Sequence, residues 1–229
     1  MALKLVAVTA GLSQPSSTRL LTDQIVNAVR ASVTARGEDV EAEVIEVREI
    51  AQDLTQTMLT GGMPTPKLTE VREKLAAADG VVAVTPVFTA SMSGLFKMLF
   101  DSLDVDTLRG VPVLAAATAG TPRHQLVIDH AMRPMFAYLH ATVVPTSVFA
   151  ATEDFGTEAG KGLAGRIAQA ADELTQAMMS FGNTVAGFTA TQQPAGKGGR
   201  QRTSGNELTE VVDFATLLEG HDGTPTSMA

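Results

Sequence analysis

Three stretches of this chain bring together small, hydroxyl-bearing and turn-forming residues in a way that can hold an anion and a flat ligand. The first, Gly11-Leu12-Ser13-Gln14-Pro15-Ser16-Ser17-Thr18-Arg19, follows the apolar run Leu3 to Thr9 and leads into an amphipathic segment. Gly11 and Pro15 turn the chain, and Ser16, Ser17 or Thr18 can cap the helix that follows. Backbone N–H groups and hydroxyls then converge at a positive helix terminus, which suits a phosphate dianion. The same residues equally suit plain helix capping, since neither GxGxxG nor GxxxxGKS/T is present. The second stretch is Pro86-Val87-Phe88-Thr89-Ala90-Ser91-Met92-Ser93-Gly94, and the third is Thr118-Ala119-Gly120-Thr121-Pro122.

Each stretch sits between a strand pattern and a helix pattern. Leu5, Val6 and Val8 mark the first strand, and Leu21, Ile25 and Val29, with Leu20 and Val26, mark the helix face after it, ending at Gly37. Val40 to Val47 alternates apolar and acidic residues, as a half-exposed strand near a sheet edge does. Residues 51–66, with Gly61-Gly62 and two prolines, read as a mobile loop, and Leu68, Val71, Leu75 and Ala78 mark another helix. Val81 to Thr85 and Val111 to Ala117 are continuous apolar runs, as in parallel strands buried on both faces. The helices after them run from Leu95 to Leu103 and from Arg123 to Tyr138. A last strand, Thr142 to Phe149, carries Pro145, which places it at an edge or bulge. A final helix runs through Leu163, Ile167, Leu174 and Met178.

Five strands alternating with helices predict an α/β, flavodoxin-like doubly wound five-stranded parallel sheet with helices on both faces and a C-terminal extension. In that architecture the loops at the carboxyl ends of the strands share one crevice, so the three stretches should converge. The expected organisation is a binding domain over 1–182, a Gly-, Thr- and Gln-rich flexible linker over 183–205, and a helical tail over 206–229 with its apolar face at Leu208, Val211, Val212, Ala215 and Leu218.

Composition bounds the function. The 229 residues carry 45% hydrophobic and 18% charged side chains, and no apolar run reaches the length of a membrane span. Without cysteine, disulfide and thiolate chemistry is excluded, and a cytoplasmic setting with no membrane partner is expected. A net charge of -8 argues against nucleic acid. It also means that a bound phosphate must be held mainly by N–H and O–H donors, with Arg19 the nearest cation. His124, His130, His140 and His221 lack ligand spacing with carboxylates, so no metal site is expected.

A hydroxyl-lined phosphate loop, an apolar loop bearing Phe88 and a small-residue loop fit a flat ring joined to one phosphate, which describes FMN. Individually, Phe88 reads as a core contact and Thr118-Ala119-Gly120-Thr121 as a tight turn; it is their coincidence that points to a ligand. With no Trp and one Tyr, Tyr138, a sandwich between two large aromatics is not expected, so one face of the ring should stay open.

At Thr85-Pro86-Val87-Phe88-Thr89-Ala90-Ser91-Met92-Ser93-Gly94-Leu95-Phe96-Lys97, Ala117-Thr118-Ala119-Gly120-Thr121, His124 and Ile128-Asp129-His130-Ala131-Met132-Arg133-Pro134, the chain resembles the NADPH-dependent FMN reductases, especially the reductase components of two-component sulfonate and luciferase-like monooxygenase systems. The resemblance covers about residues 3 to 180. It implies hydride transfer from NADPH to FMN and delivery of reduced FMN to a partner flavin-dependent monooxygenase. It places Ser13, Ser17, Thr18 and Arg19 at the phosphate, Pro86, Val87, Phe88 and Thr89 at the ring, and Thr118, Ala119 and Gly120 at its far edge, with His124 beside the third loop. Many members carry Gly-Ser-x-Arg in the first loop where this chain has Gly11-Leu12-Ser13-Gln14, so Arg19 is expected to compensate.

Hydride transfer to a flavin needs no side-chain acid in the hydride step, and no catalytic residue is assigned. Pro134, inside the helix from Arg123, removes a hydrogen bond and crowds the carbonyl of His130, which predicts a kink or π-bulge there. By resemblance His130 would tune flavin exchange or assembly; otherwise it simply packs beside a kink. Leu95-Phe96-Lys97-Met98-Leu99-Phe100 is apolar almost all round, which predicts a homodimer or homotetramer built on that helix and the kinked one. Two other uses of the fold stay open at this point: an FMN-bound quinone or azo reductase, and a non-enzymatic flavodoxin-type electron carrier.

Overall fold

The computed structural model describes residues 2–155 and 160–180. The expected linker over 183–205 and the tail over 206–229 lie outside the described residues. The elements run β1 (Leu3–Thr9), α1 (Ser17–Thr34), β2 (Val40–Glu46), α2 (Ala51–Leu59), α3 (Pro66–Ala77), β3 (Gly80–Phe88), β4 (Ser91–Met92), α4 (Gly94–Asp101), β5 (Pro112–Ala119), α5 (Arg133–Tyr138), β6 (Thr142–Val143), β7 (Val148–Ala151) and α6 (Gly160–Ser180). The strand order is β2-β1-β3-β5-β6, with β7 also on β5 and β4 on β3. All pairings are parallel except the β3–β4 hairpin. This is the flavodoxin-like doubly wound sheet.

The period of two along β1 divides the core. Leu5 and Ala7 pack with Leu21, Ile25, Val29 and Val33 of α1 and Ile167, Leu174 and Met178 of α6. Val6 and Val8 face the other way, toward Leu54, Leu68, Leu75, Phe96, Leu99 and Phe136. On that second face Phe96, Phe100 and Phe136 form an aromatic cluster of one tilted and one edge-on pair, with ring centroids 4.8 and 5.0 Å apart. Leu20, placed on the inner face of α1 by spacing alone, is exposed.

Three further sequence expectations need correction. Residues 51–59 are not loop: they form α2, which buries Leu54 and Thr57. The glycines and prolines that suggested a loop begin only after Leu59, and the helix is held by packing rather than by propensity. The predicted Arg123 to Tyr138 helix breaks into a 3-10 turn (Pro122–His124), a π-helical turn (Ile128–Met132) and α5. The π turn contains His130, where Pro134 predicts it. Within the apolar helix expected to build an assembly, Phe96 does not face outward: it points into its own core and is fully buried, so it offers nothing to a neighbouring subunit.

Pro145 interrupts the last strand and separates β6 from β7 at the sheet edge. The gap is tied down from both sides. Arg133 donates to the carbonyls of Val144 and Pro145 at 3.2 and 2.7 Å, and Thr146 donates through N–H and hydroxyl to Glu173 of α6, each at 2.7 Å. No described helix is long and apolar enough to cross a membrane.

Candidate functional site

The β1–α1 loop is shaped by a close approach. An ideal Cβ on Gly11 would stand 2.0 Å from Ser16 Oγ, so any side chain here would force the capping hydroxyl of Ser16 aside. Ser16 is that cap, its hydroxyl accepting from Arg19 N at 3.2 Å. The first turn of α1 holds no acidic residue, which leaves its positive end free of an internal anion. Thr18 is buried and its Oγ1 lies 2.8 Å from Thr118 Oγ1, joining the first and third loops across 100 residues of sequence.

Strand register brings the other two loops together. Thr85 pairs with Ala117 and Pro86 with Thr118, so β3 and β5 end side by side. After Phe88 the chain reverses through Thr89 and Ala90, both at positive φ (48° and 62°), as a tight hairpin requires. Thr85 Oγ1 accepts from Ser93 N at 3.0 Å, and Ser93 in turn caps α4. The second loop is thereby held from within.

The three loops enclose a cleft of about 310 Å³. From the first loop Gly11, Leu12, Ser13, Ser16, Ser17 and Thr18 line it; from the second, Pro86, Val87 and Phe88; from the third, Thr118, Ala119 and Gly120. Thr152, just beyond β7, completes the wall. Phe88 is 46% exposed and is the one aromatic residue of the lining among the described residues. The volume sits at the lower end of the range for ligand pockets, roughly 300–1,000 Å³.

Three of the expected site residues stand outside this lining. Thr89 occupies the hairpin turn, His124 ends the 3-10 turn beyond the third loop, and Arg19 faces away into an ion-pair network. Arg19 binds Asp23 through Nε at 2.9 Å and Glu46 Oε1 through Nη1 at 2.5 Å. The Asp23 hydrogen bond, with the two carboxylate charges, raises the guanidinium above its ordinary pKa. Glu46 Oε2 holds Arg48 at 2.5 Å. His130 is exposed on the π turn.

Sequence reading missed four lining residues. Gly11 and Ser16 were legible as turn and cap, yet the fold-back that makes them wall is a tertiary distance. Leu12 carries no distinguishing signal. Thr152 was open to inference, because the end of the edge strand faces the same crevice as the ends of β1, β3 and β5.

Residues 3–156 match the family described as NADPH-dependent FMN reductase. The chain belongs to that family. Relatives of this reductase include the FMN reductase (NADPH) of Pseudomonas aeruginosa, 38% identical over 152 residues, which are 66% of this chain and 78% of the relative. The NADH-dependent FMN reductase SfnE of Pseudomonas putida is 37% identical over 172 residues, 74% of this chain and 89% of the relative. Among solved structures, an oxidoreductase of Corynebacterium diphtheriae is 51% identical, with a TM-score of 0.76, covering 78% of this chain and 98% of its own. An apo NADH:FMN oxidoreductase, EmoB, is 28% identical with a TM-score of 0.63, covering 78% and 90%. The reductase is thus an enzyme whose ligands are FMN and NAD(P)H. Its cleft fits the first of these: a helix N-terminus without acidic residues, surrounded by serine hydroxyls, suits a phosphate, and the apolar second loop and small third loop suit a ring.

Proposed function

We propose that the reductase takes free FMN as a substrate, reduces it with NADPH and releases it to a partner flavin-dependent monooxygenase of the luciferase-like class. The observation that carries this reading is the open cleft, whose single aromatic residue among the described residues, Phe88, is itself half exposed. Held there, FMN would supply the acceptor for the hydride of the nicotinamide. The protein's part is to orient and to exclude water. Ser13, Ser16, Ser17 and the N–H groups of the first turn of α1 hold the phosphate, with Thr18 fixed against Thr118 behind them. Pro86 to Phe88 and Thr118 to Gly120 border the ring. With no aromatic lid among the described residues, a nicotinamide can stack on the free face, and reduced flavin can leave.

The name of the Pseudomonas putida relative, an NADH-dependent FMN reductase, keeps NADH in view as the alternative donor. Assembly as a homodimer or homotetramer belongs to the same reading, with the outer side of α4 and the π turn as the contact and His130 upon it. Tyr138, 73% exposed at the end of α5, is the residue to change there: Tyr138→Asp should reduce the assembly size by light scattering. A cytoplasmic setting, with its pool of reduced nicotinamide, suits this role.

A second reading keeps FMN bound and passes electrons to quinones or azo compounds. It is favoured by a Staphylococcus aureus relative named FMN-dependent NADPH-azoreductase, 28% identical over 122 residues. Steady-state oxidation of NADPH and NADH by flavin-stripped protein, with FMN varied from none to excess, separates the two. Saturating dependence on added FMN, with reduced flavin escaping into solution, is the expected result. Turnover that needs tightly retained FMN together with a quinone would overturn it in favour of the second reading.

A further inference from the structure

Gly11, Leu12 and Ser13 line the end of the cleft nearest the N-terminus of α1, yet the segment that carries them, residues 11–15, is weakly tied to the rest of the fold. Ala10 N donates to Val84 O at 3.0 Å just before them, and Ser16 caps α1 just after them. Between these points, one hydrogen-bonded anchor is present among the described residues, and it comes from another strand. The parallel register pairs Thr9 with Glu46, so the turn that follows β2 emerges beside the β1–α1 loop. Arg48, in that turn, reaches Gln14. With the amide oriented so that its oxygen faces the guanidinium, Gln14 Oε1 accepts from Arg48 Nη1 at 2.8 Å and from Nη2 at 2.5 Å. The opposite orientation sets an NH2 group against guanidinium donors, which have no acceptor to offer.

Arg48 is itself held in place. Its Nη2 also binds Glu46 Oε2, and the other oxygen of Glu46 holds Arg19. Arg19 therefore satisfies its charge with two carboxylates, whereas Arg48 shares one carboxylate and spends its fork on a neutral amide of the loop. Both side chains are largely covered, Arg48 being 22% and Glu46 18% exposed. A planar guanidinium can grip one oxygen with two N–H groups in a fixed direction, which an ammonium cannot do.

We propose that Arg48 is the positioning residue of the phosphate loop: by gripping Gln14 it holds residues 11–15 in the shape that receives the phosphate, and so sets the preference for FMN over riboflavin. The proposal rests on the FMN-reductase reading. Pre-organising a loop strengthens binding by removing the cost of ordering it, and here the benefit falls on the part of the ligand that the loop meets. Riboflavin has the same ring and no phosphate, so its binding should be indifferent to Arg48.

The test is a flavin-fluorescence titration of the full-length, flavin-free protein with FMN and with riboflavin, comparing wild type, Arg48→Ala, Gln14→Ala, the double variant and Arg48→Lys. Arg48→Ala should weaken FMN about ten-fold, the scale of one charge-assisted hydrogen bond, and riboflavin less than about two-fold. Gln14→Ala should match it, the double variant should add little to either, and Arg48→Lys should rescue little. Equal losses for both flavins, no loss, or additive losses in the double variant would each overturn the proposal while leaving the reductase reading intact. A wild type that binds neither flavin and oxidises no NADPH would overturn both.

Discussion

Replacing Gly11 by alanine tests the geometry of the phosphate loop directly. The new Cβ would lie 2.0 Å from Ser16 Oγ and 3.1 Å from both Ser16 Cβ and Thr18 Cβ. The first contact is impossible, so the Ser16 hydroxyl must swing away and give up the N–H of Arg19. Losing an N-cap of this kind costs about 1 kcal/mol. The two 3.1 Å contacts remain after the swing and press the first turn of α1 outward, an overpacking cost of about 1 kcal/mol more. A total of about 2 kcal/mol corresponds to a drop in Tm of roughly 4–8 °C for a domain of this size. FMN affinity should fall at least about ten-fold, because the cap hydroxyl and the helix N–H groups move together. Ser16→Ala separates the contributions: it removes the cap without the crowding, should cost about 1 kcal/mol, and should make a subsequent Gly11→Ala less harmful than in wild type. The assays are differential scanning calorimetry and FMN fluorescence titration on all four proteins. If Gly11→Ala melts within about 1 °C of wild type and binds FMN equally well, the fold-back does not govern this loop and the reasoning fails.

Gly120 gives the converse case. A Cβ built there meets no protein atom within 4 Å, so Gly120→Val should leave Tm within the range of neutral surface changes, about 0.5 kcal/mol, yet weaken FMN several-fold by filling the cleft; unchanged titration curves would show that the ring does not approach this loop. At the β3–β4 turn, Thr89 and Ala90 carry positive φ that a side chain disfavours, so Ala90→Gly should raise stability by about 1 kcal/mol, and a lower Tm would refute this. Burial works against ionisation of Glu173, but the hydroxyl and N–H of Thr146 and the amide of Gln169 outweigh it and hold its carboxyl below the ordinary value. A depressed carboxylate contributes stability that is present above its unfolded pKa and is lost as pH falls through the folded one. Glu173→Gln should therefore melt lower than wild type at neutral pH, with the gap closing as the pH drops below about 4; a gap independent of pH would refute the assignment.

What could be read without coordinates was what neighbouring residues determine. Leu5, Val6 and Val8, then Gly11 and Ser16, spell strand, turn and cap within fifteen residues, and the same local grammar repeats at Val81 to Gly94 and Val111 to Pro122. That repetition dictates a parallel sheet, and the sheet obliges the three loops to meet, so Ser13, Ser17, Thr18, Pro86, Val87, Phe88, Thr118, Ala119 and Gly120 were within reach as a lining. Pro134 likewise announced the π turn through His130, because its missing N–H is a local fact.

Other features depended on partners far away in the chain. Ala51–Leu59 is helical because Leu54 and Thr57 find a core to enter, not because its own sequence insists. Arg19 was the natural candidate for the anion, being nearest in sequence, until β2 carried Glu46 beside it and claimed its charge. The same placement brought Arg48 to Gln14, and the sheet register brought Thr118 to Thr18. Turn and helix signals are written in φ/ψ preferences and short-range hydrogen bonds, which the sequence carries by itself. Which charge meets which carboxylate depends on strand order and register, and these exist only once the sheet has formed.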